Sequence, residues 1–170
     1  MLNKEVARLL NEQITKEFYS AYLYMDMANY YADHSLNGFE HWFIVQMQEE
    51  RDHALLFRQY ILNNGEIVKL AQIDAPQKPY ADFRDPLVLG YEHEQFVTAS
   101  INNIYEAAYK VKDFRTMQFL DWFIKEQGEE EKNADDNIKK YDLFGGDPKS
   151  LYMIDNELKA RIYNPPTLVI

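Results

Sequence analysis

The sequence predicts an all-α fold: a four-helix bundle with one long crossover and a short fifth helix at its C-terminal end. Three observations predict it. Four long stretches repeat apolar residues at steps of three and four, the period of a helix packed along one side. The one long stretch without that period, Gly65 to Asp85, lies between the second and third of them. Each of the four also carries a carboxylate in the middle of its apolar line: Glu17, Glu50, Glu94 and Glu130.

The first helix, about 4–32, has the seam Leu10, Ile14, Glu17, Ala21, Tyr24, Ala28, Tyr31. Ser35-Leu36-Asn37-Gly38 makes a turn, and Asn37 with Glu40 three residues on reads as a capping box opening the second helix, about 37–64. Phe39, Phe43, Phe57 and Tyr60 surround Glu50 and His53 on one of its faces, and Gly65 supplies its left-handed exit. The following segment contains Pro76 and Pro79. The second helix is about 42 Å long at 1.5 Å per residue, and roughly 20 extended residues reach about 65 Å. The segment can therefore run the whole length of the bundle and leave helices two and three parallel. Asp85-Pro86 reads as cap and first turn of the third helix, about 86–111, with the seam Leu87, Tyr91, Glu94, Val97 or Thr98, Ile101, Tyr105, Ala108. After a turn at Lys112-Asp113, the fourth helix, about 113–141, aligns Met117, Leu120, Ile124, Gln127, Glu130 or Glu131, Ala134, Ile138 and Tyr141. Gly145-Gly146 breaks it, Asp147-Pro148 opens the fifth helix, about 148–163, and Asn164-Pro165-Pro166 ends regular structure. The apolar tail Thr167-Leu168-Val169-Ile170 is expected to fray or to pack on a neighbour.

At 170 residues, with no repeat and no linker, residues 1–170 read as a single domain. Lysine and arginine number 18 against 28 aspartates and glutamates, a net charge of −10, which disfavours nucleic acid and anionic membranes and favours cations. Cysteine is absent, which removes disulfides, thiolate ligation and cysteine nucleophiles. The amino-terminal residues pass straight into an amphipathic pattern, and no apolar run approaches the roughly 20 residues of a membrane span. A cytoplasmic protein without a membrane partner is expected.

Antiparallel hairpins joined by one crossover bring the helix midpoints to one level. Glu17, Glu50, His53, Glu94, Gln127 and Glu130 therefore converge. Four buried carboxylates at −4 with a neutral imidazole are untenable alone and are balanced by two divalent cations. Oxygen-rich ligation with one nitrogen and no sulfur suits iron or manganese, and Glu50 is the expected bridge. Any one seam glutamate is more simply a lysine partner or a solvated end; the conjunction of six polar side chains at one level carries the reading. Tyr24, two turns beyond Glu17, reads equally well as a core tyrosine or as a donor to a metal-bound carboxylate or of an electron. Glu49, Glu126 and Glu129 flank the cluster off the seam as either a third, more exposed metal position or a solvated acidic face. His34, His41 and His93 lack a partner at ligand spacing and are expected at the surface.

These residues resemble the ferritins, and most of all the bacterial non-haem ferritins. The matching motifs are Asn11-Glu12-Gln13, Glu17-x-Tyr19-Ser20, Tyr24, Gln48-Glu49-Glu50-x-x-His53, His93-Glu94-Gln95, Phe119-Leu120-x-Trp122, Glu126-Gln127-x-Glu129-Glu130-Glu131-Lys132 and Tyr152-x-Ile154-Asp155. The resemblance implies a ferritin-like di-iron bundle with Glu17, Glu50 and His53 at one iron and Glu50, Glu94 and Glu130 at the other. It implies Gln127 beside the pair, Glu49, Glu126 and Glu129 with Glu130 around a third iron, and a shell of twenty-four subunits with the fifth helix near the four-fold axes. Bacterioferritins repeat Glu-x-x-His in the fourth helix and carry a haem-ligating methionine in the second; the corresponding positions here are Gln127-x-x-Glu130 and Arg51, so no haem is expected. DNA-protecting mini-ferritins place their site between subunits, whereas this chain holds a full set. The expected function is iron storage and detoxification by a ferroxidase that oxidises Fe(II) with dioxygen or hydrogen peroxide. A peroxide-reducing protein of the rubrerythrin kind is the enzymatic alternative, opposed by the lack of cysteines for a rubredoxin-like site. A non-redox metal-buffering scaffold is the other.

Overall fold

The computed structural model describes residues 2–76 and 79–170. Its elements in order are α1 (Lys4–Asp33), α2 (Asn37–Asn63), α3 (Asp85–Lys110), α4 (Phe114–Phe144) and α5 (Pro148–Leu158), with no strand among the described residues. Among the described residues no helix is long and apolar enough to cross a membrane.

Helices α1 and α2 form one hairpin, α3 and α4 the other, and α1 lies against α3. The crossover is pinned along α1. Asn11 near its start accepts from the Lys69 amide at 2.6 Å, while Asp26, four turns on, accepts from the Tyr80 hydroxyl at 2.7 Å. The segment thus travels the bundle lengthwise and α2 and α3 run parallel, as its length predicts; residues 77 and 78 of it lie outside the described residues. Two apolar clusters fill the interior. One gathers Leu10, Ile14, Phe57, Ile101, Leu120 and Phe123; the other gathers Tyr24, Tyr31, Phe39, Phe43 and Leu87 around α5 residues Ile154 and Leu158.

Helix ends are where local sequence misleads. Asn37 is not a cap: α2 has Leu36 in that position with no side-chain bond. Its first amides are capped from a distance, Gly38 and Phe39 donating to Asp155 Oδ1 of α5 at 2.6 and 3.1 Å. A Cβ on Gly38 would stand 1.6 Å from the Asp155 carbonyl oxygen, so glycine is what lets α5 seat there. Asp85 likewise lies inside α3, and Asp82 accepts from the Arg84 and Asp85 amides at 2.8 and 3.0 Å. The expected stops and starts hold elsewhere: Gly65 has φ +73°, Asp113 caps α4 through the Thr116 amide at 3.1 Å, and Asp147 caps α5. The fifth helix ends at Leu158 rather than near residue 163, because the chain turns back there along α2. The tail does not fray. Tyr163 donates to Asp52, Thr167 accepts from the Trp122 indole at 3.2 Å, and Leu168 packs on the core of its own chain.

Candidate metal centre

Between the two apolar clusters lies a polar layer. Glu17, Glu50, His53, Glu94, Gln127 and Glu130 are all buried there, on α1, α2, α3 and α4. Ligand atoms of Glu17, Glu50 and His53 lie within 4.8 Å of one another. His53 Nδ1 stands 3.7 Å from Glu50 Oε2 without a hydrogen bond, and Glu17 Oε2 also has no partner. Two buried lone-pair groups without partners, side by side, are a costly arrangement for a protein with nothing to bind. The His53 ring makes T-shaped contacts with Trp122 and Phe123, which fix its plane.

The other half is joined to the first by hydrogen bonds. Gln46 donates to Glu50 Oε1 at 3.1 Å and to Glu130 Oε2 at 2.7 Å, spanning α2 and α4. Glu94 accepts from the Tyr24 hydroxyl through Oε1 and from Gln127 through Oε2 at 3.0 Å. A cavity of about 10 Å³, lined in part by Tyr24, Gln46, Glu94 and Glu130, has room for a particle the size of one water or ion. Of the two readings open for Tyr24, its contact with Glu94 favours a donor to a carboxylate. Of Glu130 and Glu131, the layer takes Glu130, while Glu131 accepts from Thr98 at 2.5 Å.

Burial, then the charge of Glu50, lifts the carboxyls of Glu17 and Glu94 to about 8. Burial also lifts Glu50 and Glu130, reinforced by Glu130 and Glu94 respectively. Without cations the layer therefore holds protons that free carboxylates would release, and divalent ions would take their place.

The sequence reading missed the supports. Gln46 and Gln13 each sit four residues before a layer glutamate, and Gln13 donates to Glu17 Oε1 at 2.8 Å. Spacing could have found them; their neutrality hid them. His93 is buried, not at the surface. Ser20 donates to the Lys16 carbonyl, which leaves its oxygen to accept from His93 Nε2 at 2.7 Å, and burial pushes His93 down to about 4. His34 is exposed, whereas His41 is half-buried and donates to the Arg161 carbonyl at 2.8 Å. On α4 the buried line is Thr116, Leu120, Phe123, Gln127, Glu130, Ala134; Ile124 falls one position past it and is 41% exposed. The three outer glutamates are not equivalent. Glu126 is half-buried, Glu129 is exposed 3.5 Å from Lys125, and Glu49 is half-buried in an ion pair with Arg161.

Fold and layer together define a class: a helical bundle built around a buried carboxylate–imidazole cluster. The sequence profile of the ferritin-like domain matches residues 7–144. The bacterial non-heme ferritin of Staphylococcus saprophyticus is 38% identical over 164 residues, 96% of this chain and 98% of that one. That of Campylobacter jejuni is 38% identical over 159 residues, 94% and 95%. Among solved structures, an open-pore ferritin from the archaeon Archaeoglobus fulgidus superimposes with TM-score 0.93 at 38% identity, over 95% of this chain and all of that one. The chain belongs to the ferritin family.

Proposed function

We propose that this chain, acting as one unit from end to end, is the subunit of an iron-storing ferroxidase. The observation that carries the reading is the pair of unpartnered buried ligand atoms, Glu17 Oε2 and His53 Nδ1, beside three further buried carboxylates, Glu50, Glu94 and Glu130, in the same layer. Fe(II) is the substrate. Glu17, Glu50 and His53 hold one ion, Glu50, Glu94 and Glu130 the other, and Glu50 lies between them. Gln46 keeps Glu50 and Glu130 at a fixed separation, while Tyr24 and Gln127 orient Glu94. Each Fe(II) gives up one electron to dioxygen or hydrogen peroxide, and the ferric product leaves as hydrous oxide. Hard anionic oxygens stabilise Fe(III) over Fe(II), so the layer favours the oxidised product as well as binding. Two ions held side by side can share one oxidant.

Glu126 and Glu129, with Glu130 and with Glu49 when it is free, form a third stepping position toward the stored mineral. Tyr22, Met25, Leu55 and Leu62 expose apolar surface on α1 and α2 that a second copy would cover, in keeping with a homo-oligomer and a shell of twenty-four subunits. Arg51 at the second-helix position leaves no haem ligand. A cytoplasmic store suits a cysteine-free, acidic chain. Adding Fe(II) to the apoprotein in air tests the function: oxygen uptake and a ferric chromophore are expected, and binding without oxygen uptake would support a passive buffer instead.

A further inference from the structure

The chain beyond α5 forms a strap over the face where α2 and α4 meet, and one residue in it does more than hold it down. Arg161 stacks its guanidinium over the Trp42 ring at 4.3 Å, donates from Nη1 to the Trp42 carbonyl at 3.1 Å, and donates from Nη2 to Glu49. Its own carbonyl accepts from His41 Nε2 at 2.8 Å, so backbone and side chain are both fixed. Both ion-pair side chains are largely shielded, Arg161 at 18% and Glu49 at 17% exposed. Glu49 precedes Glu50 in α2 and feels the charges of Glu130, His53 and Glu126, so it stands at the edge of the polar layer. Tyr163 to Asp52 and Thr167 to Trp122 carry the strap onward past the ring that packs on His53.

We propose that Arg161 is a tethered cation that occupies Glu49, so that a metal ion at the third position must displace it. The proposal rests on the ferroxidase reading. The guanidinium neutralises Glu49 and holds its Oε2 in a charge-assisted hydrogen bond, so a metal ion that takes Glu49 must break that pair. A divalent ion about 5 Å from the remaining positive charge is weakened roughly tenfold even at a water-like dielectric. The strap thus makes the third position weak by design of charge rather than by lack of ligands, which favours ions that pass through it over ions that stay.

Zn(II), which cannot change valence, is the probe. Calorimetric titration of the apoprotein is expected to show two tight ions per subunit and a weaker third. Arg161→Gln should tighten the third at least about tenfold, Arg161→Lys should stay within about threefold of the unaltered chain, and Tyr163→Phe, which loosens the strap but spares the latch, should leave it unchanged. Glu49→Gln introduced into Arg161→Gln should remove the gain. An unchanged third step in Arg161→Gln, the same gain in Tyr163→Phe, or a gain that survives Glu49→Gln would each overturn the proposal. Absence of the two tight ions from the unaltered chain would contradict the ferroxidase reading instead, and the Arg161→Gln comparison would still be read from the remaining step.

Discussion

Glu17→Gln should abolish metal binding at the first position and yet stabilise the apoprotein. Glu17 Oε1 accepts from Gln13 at 2.8 Å, and a glutamine oxygen can keep that bond. Its amide nitrogen would then stand where Oε2 has no partner, facing Glu50, and could donate to that carboxylate. The magnitude follows from the carboxyl, which burial and Glu50 raise from 4.5 to about 8. A folded-state value above the unfolded one means that Glu17 favours the fold fully below about pH 4.5, and that this contribution is lost as pH rises toward 8. At pH 7.5 the loss amounts to about 4 kcal/mol, from three pH units at 1.36 kcal/mol each; after relaxation of the neighbours, roughly 2–4 kcal/mol should reappear as stability in the variant. That is a rise in Tm of roughly 5–15 °C for a chain of this size. Thermal unfolding of metal-free protein followed by circular dichroism at pH 5, 6, 7 and 8 measures it. The difference should be near zero at the acid end and grow with pH. A difference independent of pH, or a variant less stable at pH 7.5, would refute the argument that burying a carboxyl which must take up a proton to fold opposes folding.

Further outcomes follow from the same geometry. His53→Ala removes the only nitrogen donor and Glu130→Ala opens the second position, so each should lose the rapid phase of Fe(II) oxidation in stopped-flow traces, by about 100-fold or more as for other lost metal ligands and their supports. Glu129→Ala, exposed beside Lys125, should keep that phase and alter only later steps; loss of the rapid phase in Glu129→Ala alone would reverse these roles. Gly38→Ala places a Cβ 1.6 Å from the Asp155 carbonyl and should unseat α5 at a cost of about 2 kcal/mol or more, seen as a lower Tm; an unchanged Tm would show that α5 can shift freely.

The bundle was legible in the sequence because its period is local and repeated, and the layer because a charge in an apolar seam stands out. Glu17, Glu50, Glu94 and Glu130 are each conspicuous for that reason, and the length of the crossover sets the relative direction of the helices that bring them together. What was not legible depends on contacts between distant residues. Asp155 caps α2 from 117 positions away, so Asn37 took the role on local grounds. Arg161 reaches Glu49 across 112 positions, and no spacing rule announces that pair. His93 carries no charge partner and is held by a serine on another helix, a neutral bond that leaves no pattern in the chain.

The central claim is that one subunit oxidises two iron ions together at the polar layer. It is tested most directly by loading the apoprotein anaerobically with Fe(II) at rising ratios, mixing with oxygen, and following the amplitude of the rapid oxidation phase. The account predicts an amplitude that climbs to two Fe(II) per subunit and then breaks, with the break abolished in His53→Ala. An amplitude that saturates at one, or one that rises without a break in both proteins, would contradict it.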